Sequence, residues 1–172
     1  IGTFTKSLFP SLRIGYVVLP PQLVKPMTVA RTLLDGHTAQ IPQLTLARFM
    51  EGGHFGAYVR TMRSIYAGRL EALAGLVDRH LFSFVEPRIP IGGLQMPCIL
   101  TGDLSERAAI DAARRVGIDL FGLAALHSPR QTKRAGFLMG FAAYTPDEID
   151  RAVRKMAGAL LMAATAKTDR TR

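Results

Sequence analysis

Residues 2–16 read GTFTKSLFPSLRIGY, and this stretch decides the fold assignment. It places Lys6 beside the hydroxyls of Thr3 and Thr5, with Arg13 seven residues further on. A lysine whose amine is desolvated gives up its proton more readily and can form a Schiff base. Hydroxyls and a guanidinium are groups that bind a phosphate. A reactive lysine and a phosphate-binding set are what an enzyme needs to hold pyridoxal phosphate (PLP).

The same stretch closely resembles the lysine motif of fold-type-I PLP enzymes, which reads approximately S/T-x-S/T-K-x-x-x-P-x-x-R-x-G. The resemblance implies that Lys6 is the catalytic residue and forms the Schiff base with PLP. It also implies that Thr3 and Arg13 hold the cofactor phosphate and that Thr5 belongs to the same cofactor site. The alternative is a surface lysine in a turn rich in Ser and Thr before a strand.

The composition is that of a globular protein. The chain has 172 residues, of which 48% are hydrophobic and 20% charged, enough for one ordinary domain or two small ones. The single cysteine, Cys98, excludes an internal disulfide and favours a reducing compartment. Its apolar neighbours predict a buried strand thiol. We found no apolar run of membrane-spanning length and no signal peptide, so we expect a cytoplasmic protein without a membrane contact.

The net charge of +9 is dispersed along the chain, apart from a basic tail at residues 166–172 and the pair Arg114 and Arg115. No recognition-helix, zinc-finger or RNA-binding motif accompanies it, so we assign most of the charge to solvated helix faces. The four histidines have no ligand spacing with Cys98 or with each other, and we therefore expect no metal site. They are His37, His54, His80 and His127.

The first eighty residues predict one strand followed by three helices. The near-continuous apolar run at residues 13–19 predicts the strand. Apolar residues at helical spacing predict helices at residues 22–34, 42–50 and 54–81. The last of these would span roughly 40 Å, which is long enough to bridge two domains.

The composition shifts near Phe82, and the remainder predicts a small α/β sandwich with its helices on one face. Strands are predicted at residues 82–85, 96–100, 118–121 and 137–142. Helices are predicted at residues 105–116 and from Thr145 to about Ala164. Ser105 or Asp103 would cap the first helix, and Thr145, Pro146 and Glu148 form a strong start signal for the second. We therefore predict two domains, residues 1–80 and 81–165, and a tail.

The resemblance narrows to one branch of the fold, the aminotransferase-like domain of MocR-type regulators in the GntR family. The segments that carry it are GYVVLPPQLV at residues 15–24, QLTLARFMEGGHF at residues 43–55, RTMRSIY at residues 60–66, GGLQ at residues 92–95 and GFA at residues 140–142. It implies an α/β fold, namely the C-terminal part of a fold-type-I aminotransferase. That part comprises the end of the large PLP-binding domain, a long interdomain helix and the small domain.

The family also implies partners. Its members carry an upstream winged-helix domain that binds DNA, and their aminotransferase-like domain binds PLP, forms a homodimer and responds to an amino-acid or amine effector. The present sequence starts at Ile1 with the lysine motif, so we interpret it as the C-terminal piece of a longer protein. On that interpretation the winged helix and the upstream half of the cofactor site are absent, and the chain alone should be aggregated or associated and should bind PLP weakly or not at all.

One departure from the family concerns the substrate carboxylate. Many aminotransferases place an arginine in the strand that aligns with residues 137–141, where this chain has Leu138 and Met139. Arg130, Lys133 and Arg134 lie just upstream and are candidates for the same task. Three hypotheses therefore stand: the effector and dimerisation domain of a regulator, a working aminotransferase acting on an amino acid, and a structural fragment that binds nothing by itself.

Overall fold

The computed structural model describes residues 1–126 and 134–169, and it divides into two compact units. The first unit is Ile1–Met62 and the second is Arg63–Arg172. The division falls inside the long helix, whereas the domain boundary predicted from the sequence lies at its end, after residue 80. That boundary stays a prediction.

The first unit contains a short two-stranded ladder and two helices. Strand β1, Gly2–Thr3, pairs antiparallel with β2, Gly15–Tyr16. Helices α1, Pro21–Asp35, and α2, Gln40–Glu51, follow. Helix α3, His54–His80, begins in this unit and continues into the second, within one residue of its predicted end.

The strand predicted at residues 13–19 is wrong in extent, because only Gly15 and Tyr16 pair with another strand. Arg13 has a left-handed backbone, with φ of 50°, which interrupts the extended conformation at the predicted start. Beyond Tyr16, no described strand pairs with residues 17–19, so their apolar character does not produce a ladder.

The first unit buries very little. Leu46 is its only residue classed as buried, whereas large apolar side chains remain exposed on both helices and after β2. They include Val18 at 80%, Leu33 at 81%, Leu34 at 89% and Ile41 at 79% exposure. Exposed apolar surface of this kind is typical of a face that contacts something else.

The second unit is a four-stranded antiparallel sheet with helices packed on one face. Its strands are β3, Val85–Pro87; β4, Gln95–Leu100; β5, Phe121–Gly122; and β6, Gly136–Gly140. Their spatial order is β3-β4-β6-β5, and Cys98 of β4 pairs with Phe137 of β6. Helices α4, Glu106–Arg115, and α5, Pro146–Asp169, complete the unit.

The core of the second unit follows from the alternation of side chains along a strand. Met96, Cys98, Phe137 and Met139 are buried on one face of the sheet. Helix residues cover them from α3, α4 and α5, namely Leu73, Val77, Ala109, Ala112, Ala113, Ile149, Val153, Met156, Ala159 and Leu160. The small alanines of α4 allow that helix to approach closely.

Both predicted helix starts in this unit are confirmed. The backbone N–H of Ala108 donates to Oγ of Ser105 at 3.2 Å, so Ser105 caps α4. At α5, the N–H and hydroxyl of Thr145 each donate to Oε2 of Glu148 at 2.8 Å, and the N–H of Glu148 donates back to the Thr145 hydroxyl. This is the reciprocal capping box that the sequence predicted.

Several strand boundaries differ from their predictions. The segment predicted at residues 82–85 pairs only from Val85, because Leu81 to Phe84 form a turn in which the N–H of Phe84 donates to the carbonyl of Leu81. The segment predicted at residues 118–121 pairs only at Phe121 and Gly122. Helix α5 continues past its predicted end to Asp169.

Candidate functional site

The ladder of β1 and β2 closes the loop that carries Lys6. Thr3 pairs with Gly15, and the N–H of Phe4 donates to the carbonyl of Ile14 at 2.9 Å. These contacts bring the two ends of the lysine loop together at one place. The backbones of Thr3 and Arg13, the two predicted phosphate ligands, consequently lie at the same end of the ladder.

The hydroxyls of Thr3 and Thr5 form one cluster. Oγ1 of Thr3 accepts the backbone N–H of Thr5 at 3.2 Å and lies 3.0 Å from Oγ1 of Thr5. It also lies 3.3 Å from the carbonyl oxygen of Ile14, to which it can donate. The ladder thus gathers two hydroxyls and one amide donor, which are groups that bind a phosphate.

Arg13 follows a 3-10 turn at Pro10–Leu12 and adopts the left-handed conformation already noted. A non-glycine residue with φ of 50° is uncommon, and such residues concentrate at turns and functional sites. Its side chain is exposed, and none of the described residues forms an ion pair with it. The guanidinium is therefore available to an anion.

Lys6 occupies a tight turn inside the loop. The N–H of Leu8 donates to the carbonyl of Phe4 at 2.9 Å, and Lys6 lies between them. The side chain of Lys6 is exposed, and no ion pair or hydrogen bond joins it to the described residues. The desolvation expected of a Schiff-base lysine therefore has no source within the described part of the chain.

Aromatic residues brace the loop, and sequence reasoning did not identify them. Phe4 contacts Tyr16, with ring centroids 5.6 Å apart, and meets Phe55 edge-to-face at 5.9 Å. The hydroxyl of Tyr58 donates to the carbonyl of Leu8 at 3.3 Å. A Cβ at Gly2 would meet the ring of Tyr16, so a larger residue there would displace that ring. The GTF tripeptide at residues 2–4 was the only sequence signal for this arrangement.

The place of the expected carboxylate-binding arginine is apolar. Leu138 is half-buried in β6, where it pairs with Pro97 and with Phe121. Phe137 and Met139 face the helices, so alternation directs Leu138 to the opposite face of the sheet. Arg134 is exposed just before β6. Two of the alternative candidates, Arg130 and Lys133, lie outside the described residues.

Glu106 connects the start of α4 to the segments on either side of residues 127–133, a role that sequence reasoning missed. Its carboxylate accepts the N–H of Ala124 at 3.2 Å and the N–H of Gly136 at 3.0 Å. Gly122 has no Cβ, which leaves the space that the carboxylate occupies. The position of Glu106 in the first turn of a helix was the only signal in the sequence.

The predicted buried thiol is confirmed. Cys98 is fully buried in β4, and this burial, with a smaller effect of the Asp78 carboxylate, raises its pKa to about 12. His54 begins α3 and its ring packs against Phe49, with centroids 5.7 Å apart. Within residues 1–126 and 134–169, no three His, Cys, Asp or Glu side chains are grouped to hold a metal ion. His127 lies outside the described residues.

None of the helices in the described ranges is both long and apolar enough to span a membrane.

In sequence, the chain is similar to proteins that are named as regulators. The chain is 31% identical over 163 residues to the probable rhizopine catabolism regulatory protein MocR of Rhizobium meliloti. The aligned segment covers 94% of this chain and 32% of that protein. It is 30% identical over 156 residues to the HTH-type transcriptional regulator YhdI of Bacillus subtilis, covering 91% of this chain and 33% of that protein. No family model matches the chain.

Comparison with solved structures identifies the fold. LysN, the alpha-aminoadipate aminotransferase of Thermus thermophilus solved with N-(5'-phosphopyridoxyl)-L-leucine, superimposes with a TM-score of 0.84 at 21% identity. The match covers 96% of this chain and 42% of LysN. The α/β fold is that of the C-terminal portion of a fold-type-I aminotransferase, as predicted.

The homologues are therefore MocR-type regulators of the GntR family, which have aminotransferase-like C-terminal domains, and the predicted resemblance is confirmed. The chain spans about a third of the length of these relatives.

Proposed function

We propose that this homologue of MocR-type regulators supplies the lysine side of a PLP site in the effector and dimerisation domain of a transcriptional regulator. The observation that carries the proposal is the ladder of β1 and β2. It brings the Thr3 and Thr5 hydroxyls together and holds Arg13 at the same end of the lysine loop.

The residues present fit a cofactor phosphate. A phosphate dianion accepts several hydrogen bonds, and the residues at this end of the ladder carry two hydroxyls, on Thr3 and Thr5, and the guanidinium of Arg13. Charge-assisted bonds from a planar guanidinium are among the strongest available in proteins. In this proposal Thr3, Thr5 and Arg13 bind the phosphate, and Lys6 is the covalent attachment point.

In this proposal Lys6 is the only loop residue that reacts, and the other loop residues position Lys6 and the cofactor. When bound, PLP supplies the electron-withdrawing ring that such domains use to recognise amines. The turn from Phe4 to Leu8 holds the backbone of Lys6, and the Tyr58 hydroxyl fixes the end of that turn. The neutral amine of Lys6 is the nucleophile, so its proton must pass to solvent or to a neighbouring base first.

The proposed partners follow from the homologues. A regulator of this family would bind DNA through an upstream winged-helix domain, form a homodimer and recognise an amino-acid or amine effector in the cytoplasm. The names of the relatives, a catabolism regulatory protein and an HTH-type transcriptional regulator, support this proposal.

The test is covalent mapping. The protein, expressed with whatever residues its gene encodes before Ile1, is incubated with PLP, reduced with borohydride and digested. We expect the label on Lys6 and its loss in Lys6→Gln, whereas Lys25→Gln, an exposed lysine of α1, keeps it. A label on another lysine, or one that survives Lys6→Gln, contradicts the proposal.

A working aminotransferase is the second candidate, favoured by the shared fold with LysN. The apolar Leu138 in β6 argues against binding of a substrate carboxylate at that place. Half-transamination of the PLP-loaded protein with an amino acid, followed by absorbance, distinguishes the two. Stoichiometric conversion would favour the enzyme, and spectral binding without conversion the regulator.

A further inference from the structure

A groove of about 430 Å³ lies between α4 and α5, on the surface of the second unit. Its floor is formed by Ala112, Val116, Ala159 and the bare backbone of Gly158, with Met162 at one end. Met162 is 74% exposed although it is one of the larger apolar side chains of α5. The groove is separate from the lysine loop, which belongs to the first unit.

Gly158 makes the groove deeper than a typical helix surface. A Cβ added there would meet no atom within 4 Å, so the position opens to solvent. Glycine weakens a helix interior relative to other residues. The missing side chain leaves the backbone of α5 accessible from the groove.

The rim of the groove carries two cations without partners. None of the described residues forms an ion pair with Arg115 of α4 or Lys155 of α5, both of which line the groove. Arg107 and Arg114 of α4 are paired with Asp111, and Arg154 of α5 is paired with Asp150. Arg115 and Lys155 therefore leave the positive charge at the rim without a carboxylate partner among the described residues.

We propose that this groove binds an acidic amphipathic helix of a partner protein. Apolar side chains of such a helix would cover the floor over Gly158, and its carboxylates would meet Arg115 and Lys155. A third helix placed between two packed helices buries its apolar stripe in the way helices pack in proteins. Met162 is a flexible apolar side chain that adapts to such a partner.

The charge argues against other occupants. A second copy of this chain, whose net charge is +9, offers this cationic rim fewer carboxylates than an acidic helix does, whatever contacts it makes elsewhere. A nucleic acid would gain from the two cations but not from the apolar floor. An acidic amphipathic helix complements both features at once.

The probe is a synthetic helical peptide with Leu at positions i, i+3, i+4 and i+7 and Glu on both flanks. Its binding to the full chain is followed by fluorescence anisotropy, beside a peptide in which Lys replaces every Glu. We expect saturable binding of the acidic peptide alone, weakened by salt. No binding of the acidic peptide, or equal binding of both, overturns the proposal.

A variant with a side chain that fills the groove tests where the peptide binds. Gly158→Leu places a side chain on the floor and favours the helix, so lost binding cannot be attributed to unfolding. Gly68→Leu is the matched control, because Gly68 is a helical glycine of α3 with equally open space. We expect about a tenfold or greater loss of affinity for Gly158→Leu only. Equal affinities of the two variants would show binding elsewhere, including on the exposed apolar surface of the first unit.

A charge pair of variants tests the rim. Arg115→Gln and Lys155→Gln should each weaken the acidic peptide about twofold to fivefold. Arg107→Gln removes the same charge from α4 outside the groove and should leave affinity unchanged. Equal effects of Arg115→Gln and Arg107→Gln contradict the proposal. Self-association that is lost in Gly158→Leu would also contradict the proposal, because it would assign the groove to a second copy of the chain. Competition by dodecanoate as strong as that by the peptide would contradict it too, because it would assign the groove to an apolar small molecule.

Discussion

Replacement of Glu106 by alanine should destabilise the second unit more than the loss of any exposed charge. The half-buried carboxylate accepts the N–H groups of Ala124 and Gly136, which precede and follow residues 127–133. Alanine cannot replace either acceptor. Both amides would then depend on water that the surrounding structure only partly admits.

The magnitude follows from these two bonds. A hydrogen bond to a charged group contributes about 1.5–3 kcal/mol in proteins. Since Glu106 is only half-buried, water compensates part of the loss, and we expect about 2–4 kcal/mol for Glu106→Ala. One oxygen of Glu106 accepts both N–H groups, and Glu106→Gln keeps one such acceptor without its charge, so it should lose about half as much.

The assay uses the single thiol of the chain. Cys98 is fully buried in the second unit, so its labelling by an aromatic disulfide in increasing urea reports on that unit alone. With an m value of about 2 kcal/mol/M, the Glu106→Ala midpoint should fall by about 1–2 M urea. The first unit does not contribute to this signal.

Asp119→Ala is the matched control for Glu106→Ala. The Asp119 carboxylate is 89% exposed and lies 3.7 Å from Arg114, a pair worth less than about 0.5 kcal/mol. If Glu106→Ala and Asp119→Ala shift the midpoint equally, the carboxylate does not hold these segments and the reasoning fails.

Four further results are expected. In the protein expressed with the residues that its gene encodes before Ile1, Arg13→Ala should weaken PLP binding by about 1.5–3 kcal/mol in a fluorescence titration, and an unchanged dissociation constant would refute its phosphate role. Because Cys98 is fully buried and burial raises its pKa from 9.0 to about 12, native labelling at pH 8 should be far slower than in urea, and the stability of the folded chain should fall as pH rises from 9.0 toward about 12, since only the unfolded thiol then ionises; labelling at the rate of the unfolded chain contradicts it. Thr145→Ala should cost about 1 kcal/mol of helix stability in urea melts. Hydrogen bonds from Thr145 lower the pKa of Glu148, so the stability difference between wild type and Thr145→Ala should be full above the ordinary carboxyl pKa and should shrink as pH falls below it. A difference that does not depend on pH would count against the capping box. Because residues 1–62 bury so little, the chain alone should associate, and a monodisperse monomer in sedimentation would be the contrary result.

Local signals in the sequence predicted the helices well. The apolar period located α3 within one residue, and the Thr145–Glu148 capping box marked the start of α5. Both signals depend on residues three or four positions apart, which a single sequence displays directly. The extent of strands depends instead on a partner strand, and so the prediction for residues 13–19 was too long.

The candidate site could likewise be predicted only where its residues lie close together in the sequence. The identity and spacing of Thr3, Lys6 and Arg13 were visible in the sequence, although their roles remain a proposal. The role of Glu106 was not visible, because the N–H groups that donate to its carboxylate lie 18 and 30 residues further along the chain. The groove at Gly158 arises only when α4 and α5 pack together, and no local pattern announces that contact.

The two units differ in a way that bears on the chemistry of Lys6. The second unit has a continuous core, whereas the first leaves Tyr16 and Val18, directly after the lysine loop, 54% and 80% exposed. A Schiff-base lysine works best where water is excluded, and apolar side chains become buried by the same exclusion. A contact that covers this strand would therefore bury apolar surface and desolvate the neighbouring loop together. We therefore expect the affinity for the cofactor to rise as more of the apolar surface of the first unit is covered, because one contact would do both.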